Sequence, residues 1–197
     1  TSSISVYATF DQPWADEEAP VGKLEDPAVE EITGETYGPL KAECDRIVRE
    51  IFGDAATVVR PAYILGPGDT TDRFTYWVER IMKGGDVLGP SQRQLLVQGV
   101  DVGDLTDFIF HAVEHDVPGS FNAAGPPYPR EGMLWAIRGL TSEPVRFHWA
   151  TPELIAEMEL SMPMMDWGRD RPVSFMNEAS IAAGMSYRPL AKTVVAA

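Results

Sequence analysis

Cysteine is nearly absent. Cys44 is the sole one in 197 residues, so neither an intrachain disulfide nor a cysteine-based metal centre can form. That fits a reducing compartment, and a cytoplasmic protein is the expectation. Basic residues are scarce too: 16 Lys and Arg stand against 30 Asp and Glu, for a formal net charge of −14. Such a surface repels phosphate backbones and anionic lipid, so neither nucleic acid nor membrane is an expected partner. No apolar run approaches the roughly 20 residues that a membrane-spanning helix needs. The opening, Thr1 to Phe10, has neither the basic start nor the long apolar stretch of a signal peptide. Internal repeats and low-complexity segments are missing. So is a glycine-rich phosphate-binding loop, because Gly66-Pro67-Gly68 signals a turn rather than a phosphate cradle.

What is present suffices for a sizeable core. The chain is 44% hydrophobic, enough for one domain or one and a half. Residues 1–7 read as a strand already under way, so the chain is expected to begin in the middle of a fold. Asp11 to Glu35 is rich in carboxylates and proline and reads as a long acidic surface loop. The spacing of Leu40, Cys44, Ile47, Val48 and Ile51 predicts a helix over 36–52 with that face packed, Cys44 included. The β-branched run 56–61 predicts a buried strand. Further helices are expected over 74–82, 104–114 (capped by Asp104 or Thr106), 130–139, 152–160 and 177–184. Short strands are expected at 87–88, 95–97, 120–124, 145–149 and 173–175. Strands alternating with helices predict a parallel sheet with helices packed on it.

The sharpest chemical signal is Tyr37-Gly38-Pro39-Leu40-Lys41. On a helix, residues four apart share a face, so Tyr37 and Lys41 project together. An ammonium beside a phenol favours the phenolate and prepares it to exchange a proton with a hydroxyl or carbonyl. Pro39 is tolerated because the first turn of a helix has amide groups without partners in any case. A serine-rich strand precedes this helix and a strand ending in Arg60-Pro61 follows it. Parallel strands bring their C-terminal ends to one edge, where α/β proteins bind ligands, so Ser3 is expected beside Tyr37.

Ser2-Ser3-Ile4-Ser5-Val6-Tyr7, Tyr37-Gly38-Pro39-Leu40-Lys41, Val58-Val59-Arg60-Pro61-Ala62-Tyr63-Ile64-Leu65-Gly66-Pro67-Gly68 and Asp101-Val102-Gly103-Asp104-Leu105 follow one another along the chain. In this order they resemble the extended short-chain dehydrogenases/reductases, the NAD-dependent epimerase/dehydratase family. The likeness covers most of residues 1–125 and continues more weakly through Asn177-Glu178-Ala179 and Gly184 to Pro189. It implies an α/β fold, namely the C-terminal part of a Rossmann-type doubly wound parallel sheet (1–66 and 98–125) plus a small α+β substrate-binding lobe (67–97 and 126–197). It implies NAD or NADP as cofactor and an alcohol or carbonyl compound as substrate. The roles it implies are Tyr37 as general acid/base, Lys41 as its partner and ribose ligand, and Ser3 as the active-site hydroxyl. Pro61, Ala62 and Ile64 would lie against the nicotinamide, and Ser5 and Tyr63 would face the substrate.

Departures from the pattern narrow this reading. Nucleotide-sugar enzymes of the family usually carry Asn at the position of Tyr63 and Tyr at that of Leu65. Many carry a phosphate-clamping arginine at the position of Val97, with Gln98 and Arg93 the nearest possible substitutes here. A smaller or less charged substrate than a nucleotide sugar is therefore expected. The family's pyrophosphate-binding glycine turn has no counterpart, so residues 1–197 alone are expected to bind NAD(P) weakly and to be inactive. A homodimer, or association with a missing N-terminal half, would cover the open sheet. The rival reading is a non-catalytic NAD(P)- or RNA-binding protein on the same fold. Other features read as ordinary structure: His111 and His115 as surface residues rather than a metal site, Met158, Met162, Met164 and Met165 as core filling or a pocket lining, and Arg169-Asp170-Arg171 as a surface ion-pair cluster.

Overall fold

The computed structural model of the chain describes residues 1–10, 13–160, 162–165 and 173–197. In chain order the elements are α1 (Tyr37–Phe52), β1 (Thr57–Pro61), β2 (Tyr63–Leu65), α2 (Phe74–Met82), β3 (Gly85–Pro90), β4 (Leu96–Val97), β5 (Gly99–Asp101) and α3 (Val102–Glu114). Then come β6 (Gly119–Ala123), β7 (Tyr128–Pro129), α4 (Arg130–Arg138), β8 (Val145–Ala150), α5 (Pro152–Glu157), α6 (Glu178–Ala182) and α7 (Leu190–Ala196). Arg169, Asp170 and Arg171 lie outside the described residues.

The chain passes from β1 into β2 through a bend at Ala62. β1 pairs in parallel with β6, Thr57 opposite Gly119 and Pro61 opposite Ala123, while β2 pairs in parallel with β5. Where the two pairings meet, the Gly125 amide donates to the Gly99 carbonyl at 3.0 Å. A Cβ on Gly125 would stand 2.4 Å from that carbonyl oxygen, so only glycine fits. Val59, Val100, Phe121 and Ala123 are buried under α3 through Leu105 and Phe108. A second core gathers Phe74, Trp77 and Ile81 of α2 with Met133, Leu134 and Ile137 of α4. It lies beside the parallel pair β3–β8 and the antiparallel pair β4–β7. Met162, Met164 and Met165 fill this second core, whereas Met158 is exposed.

The opening departs from the expected strand. The Ser2 amide donates to the Val59 carbonyl at 2.7 Å, so residue 2 does run beside β1, but Ile4–Val6 form a 3₁₀ turn. The cause is local. The Ser3 hydroxyl accepts the Ser5 amide at 3.1 Å and takes it from any sheet ladder. The acidic loop is also less free than its composition suggests. The Gly22 amide donates to the Val6 carbonyl at 2.7 Å, and the Glu17 carboxylate accepts the Asn122 amide at 2.7 Å. Residues 173–175 supply a single bridge, Ala15 to Phe175, in place of the expected strand.

The packed face of α1 is the reverse of the expected one. Gly38, Ala42 and Asp45 are buried, whereas Cys44, Ile47 and Ile51 are exposed, Ile51 by 68%. Small residues let the helix approach the 3₁₀ turn closely. Asp45 is tolerated inside because its carboxylate meets the Arg60 guanidinium at 3.2 Å. The cap of α3 moves as well: Asp101, not Asp104 or Thr106, accepts the Gly103 amide at 2.7 Å. Asp104 is freed to hold the tail through the Arg188 amide and guanidinium at 2.8 and 2.6 Å. The other Asp101 oxygen is buried without a partner among the described residues, beside a cavity of ≈30 Å³, room for about one water.

Candidate active site

A broad cleft of ≈1170 Å³ opens where β1 and β2 end. Its walls come from separate stretches of chain: the 3₁₀ turn, the start of α1, Pro61 to Arg73, Leu96 to Gln98, and Arg130. All eight residues singled out by sequence line it, namely Ser3, Ser5, Tyr37, Lys41, Pro61, Ala62, Tyr63 and Ile64.

Local structure explains their convergence. The Thr33 and Thr36 hydroxyls bond within the 33–36 turn and to nearby backbone, and the Tyr37 amide donates to the Thr33 carbonyl at 3.0 Å. The helix therefore starts at Tyr37, and Pro39 falls at its third residue, where a missing N–H costs nothing. Gly38 presses on the turn so closely that a Cβ there would sit 2.2 Å from the Ser5 carbonyl oxygen. That contact holds the Tyr37 end of the helix against Ser3 and Ser5.

Tyr37 is 39% exposed, and among the described residues its hydroxyl has no hydrogen-bond partner. The Lys41 ammonium donates to the Thr1 carbonyl at 3.1 Å, which leaves two of its three protons for the cleft. The Ser3 hydroxyl accepts from Ser5 and keeps its own proton to donate. Pro61 and Ala62 form a buried wall, and the Ile64 side chain is 45% exposed in it. Behind the cleft, the Tyr7 hydroxyl donates to Asn122 Oδ1 at 2.6 Å and accepts from Arg60 at 3.2 Å. Burial pushes the Tyr7 phenol up, against the opposing pull of Arg60, so it stays protonated and structural.

Some of the cleft was not legible in the sequence. Ser2 lines it with a buried hydroxyl that has no partner among the described residues. Arg73 and Arg130 also line it, whereas Arg93 is not among the lining residues. Arg93 pairs instead with Glu131 at 3.2 Å and stacks on Trp149, and Gln98 spends its amide on Gly125 and Phe175. A cation on the same side of the cleft as Val97 is Arg130, the first residue of α4, directly after the strand paired with Val97. No sequence signal marks Arg130, because the β4–β7 pairing that brings it there spans about 30 residues. His111 and His115 stack with ring centroids 4.3 Å apart, and no group of three or more metal-ligating side chains occurs among the described residues. Nor is any described helix long and apolar enough to cross a membrane.

No family model matches the sequence, and no curated protein does. Solved structures do match. The dTDP-4-dehydrorhamnose reductase of Clostridium acetobutylicum superposes with a TM-score of 0.68 at 15% identity, over 98% of this chain and 61% of its own. The dTDP-glucose 4,6-dehydratase of Bacillus anthracis, in complex with NAD, gives 0.67 at 16%, over 98% of this chain and 59% of its own. The UDP-glucose 4-epimerase of Bifidobacterium longum, in complex with NAD⁺ and UDP, gives 0.66 at 16%, over 100% and 60%. The chain therefore has the α/β, Rossmann-type fold of these NAD(P)-dependent epimerases, dehydratases and reductases, and spans about three fifths of their length.

Proposed function

We propose that the whole protein is an NAD(P)-dependent oxidoreductase, epimerase or dehydratase of the extended short-chain dehydrogenase/reductase family. Its substrate is an alcohol or carbonyl compound other than a nucleotide sugar. The observation that carries this reading is the meeting of Ser3, Tyr37 and Lys41, from two elements, in one open cleft at the C-terminal ends of parallel strands.

The residues suit the nicotinamide end of the cofactor. Lys41 offers two free protons to a ribose, Ser2 contributes a buried hydroxyl without a partner among the described residues, and Pro61, Ala62 and Ile64 make an apolar wall for a flat ring. The adenine and pyrophosphate end needs a glycine-rich turn that residues 1–197 do not contain. Residues 1–66 and 98–125 form the sheet part, and 67–97 and 126–197 the substrate lobe. Bound nicotinamide would supply or accept the hydride. Tyr37 gives or takes the proton at the substrate oxygen, Ser3 donates a hydrogen bond to that oxygen, and Lys41 holds the ribose. Ser5 and Tyr63 face the substrate. A homodimer, or pairing with the remaining part of the fold, covers the exposed sheet edge, and the single cysteine suits the cytoplasm.

The test is oxidation of NADH or NADPH by the whole protein against a carbonyl panel. Tyr37→Phe is expected to lower turnover by about 10²-fold or more. Unchanged turnover in that variant defeats the assignment. Salt-dependent RNA binding without nicotinamide affinity would favour the non-catalytic alternative.

A further inference from the structure

The lining of the cleft divides by origin. The 3₁₀ turn and the start of α1 bring polar groups to it: the Ser3 and Ser5 hydroxyls, the Tyr37 phenol and the Lys41 ammonium. The later stretches of chain bring mainly apolar ones, namely Leu65, Leu96, Val97, Met164, Val173 and Phe175 among the described residues. These belong to packed cores. Leu65, Val97 and Met164 are buried with Trp77 and Met133, whereas Phe175 is buried with Val6 and Ala62, and Val173 packs against them. The apolar wall is therefore built before any ligand arrives.

The polar side chains that accompany this wall are already engaged or stand in solvent. Gln98 is buried, and its amide donates to the Gly125 and Phe175 carbonyls at 2.9 and 3.1 Å while its oxygen accepts the Phe175 amide at 2.7 Å. Both donors of that group are thus occupied. One Asp69 oxygen takes the Thr71 amide and hydroxyl, and the other takes the Arg73 and Phe74 amides. Arg130 is engaged within the protein, with Nη1 donating to Gln92 at 3.3 Å. Arg73 is exposed, its guanidinium 5.7 Å over the Tyr63 ring. Hydroxyls laid against such a wall would give up their hydrogen bonds to water and find few in exchange. A hydrocarbon group laid there gains by leaving water.

Resting on the oxidoreductase reading, we infer that the substrate is an uncharged hydrophobic ketone or the matching alcohol, with a hydrocarbon body. Its oxygen lies toward Ser3 and Tyr37, and its body packs on the wall of Val97, Met164 and Phe175. In the reducing direction the carbonyl carbon gains a hydride from NAD(P)H and the oxygen gains a proton from Tyr37. The products are the secondary alcohol and NAD(P)⁺, and Tyr37 recovers its proton from solvent.

The experiment takes the whole protein and the methyl ketones from 2-butanone to 2-octanone, read by calorimetric titration and by oxidation of NADH or NADPH. Affinity is expected to rise about fourfold with each added methylene. The ketone 2-heptanone should bind about tenfold tighter than 6-hydroxy-2-hexanone, which has the same number of heavy atoms. Val97→Thr and Leu96→Asn put a polar group into the wall at nearly constant volume, and each should flatten the series. Leu96 is only half-buried, so Leu96→Asn remains informative if Val97→Thr does not fold. Absent binding, an affinity independent of chain length, a hydroxy ketone that binds as tightly as 2-heptanone, or a slope that survives in both variants overturns the inference. Binding that strengthens along the series without any oxidation of nicotinamide would defeat only the oxidoreductase reading. Turnover that needs Tyr37 but is confined to hydroxylated carbonyls would defeat only this one.

Discussion

Gly38 sets how near the first turn of α1 comes to Ser5. A methyl group at that position would meet the Ser5 carbonyl oxygen at 2.2 Å, so the helix start must shift and carry Tyr37 with it. Gly38→Ala is expected to leave a folded protein, as read by circular dichroism, and to lower turnover by about 100-fold, the scale of a misplacement near 1 Å. A variant as active as wild type would show that the contact does not position Tyr37. Asp45 makes a different kind of contribution. It and Arg60 are both buried and meet at 3.2 Å. Asp45→Ala strands the guanidinium and should cost about 3–5 kcal/mol in denaturant unfolding. The Tyr37–Lys41 pair was legible because helical geometry fixes what residues four apart do. Asp45–Arg60 was not, because it joins a helix to a strand through tertiary packing. Arg130 escaped for the same reason.

Among the elements, α2 followed directly from its pattern: Phe74, Trp77, Val78 and Ile81 are the residues it buries. Its start is held from a distance by Asp69, whose carboxylate gathers the Arg73 and Phe74 amides. Burial pushes the Asp69 carboxyl up, but the Thr71 hydroxyl and the Phe74, Thr75 and Thr71 amides outweigh it and hold it below its ordinary value. A carboxyl lowered in the folded state stabilises above its unfolded value of about 3.9 and loses that contribution as pH falls through the folded one. Asp69→Ala should therefore cost about 1 kcal/mol near neutral pH, the scale of a lost cap. The difference from wild type should narrow in acid, and a gap independent of pH would contradict the account. Periodicity found α1 but chose its wrong face. The apolar stripe of Ile47 and Ile51 looks outward, and the side toward the sheet is built from Gly38, Ala42 and the ion-paired Asp45. Hydrophobic spacing cannot distinguish a face that meets the core of its own chain from one left for another surface. The 3₁₀ turn was missed because a serine hydroxyl, not side-chain polarity, decides it.

At the scale of the molecule, the alternation of strands and helices indicated a parallel sheet, and β1–β6 and β2–β5 do pair in parallel, although β2 and β5 were not among the expected strands. The lobe was harder, because β3 and β8 lie about 60 residues apart and nothing local announces their register. The cleft is what joins the two regions, and the proposed function requires Ser3 and Tyr37 to address one substrate oxygen from different elements. A double-mutant cycle of Ser3→Ala and Tyr37→Phe measures this most directly, read as single-turnover hydride transfer in the whole protein. Groups that act on one oxygen are expected to be strongly non-additive, with the double variant little slower than the slower single. Losses that simply multiply, as for independent sites, or singles that match wild type, would contradict the account.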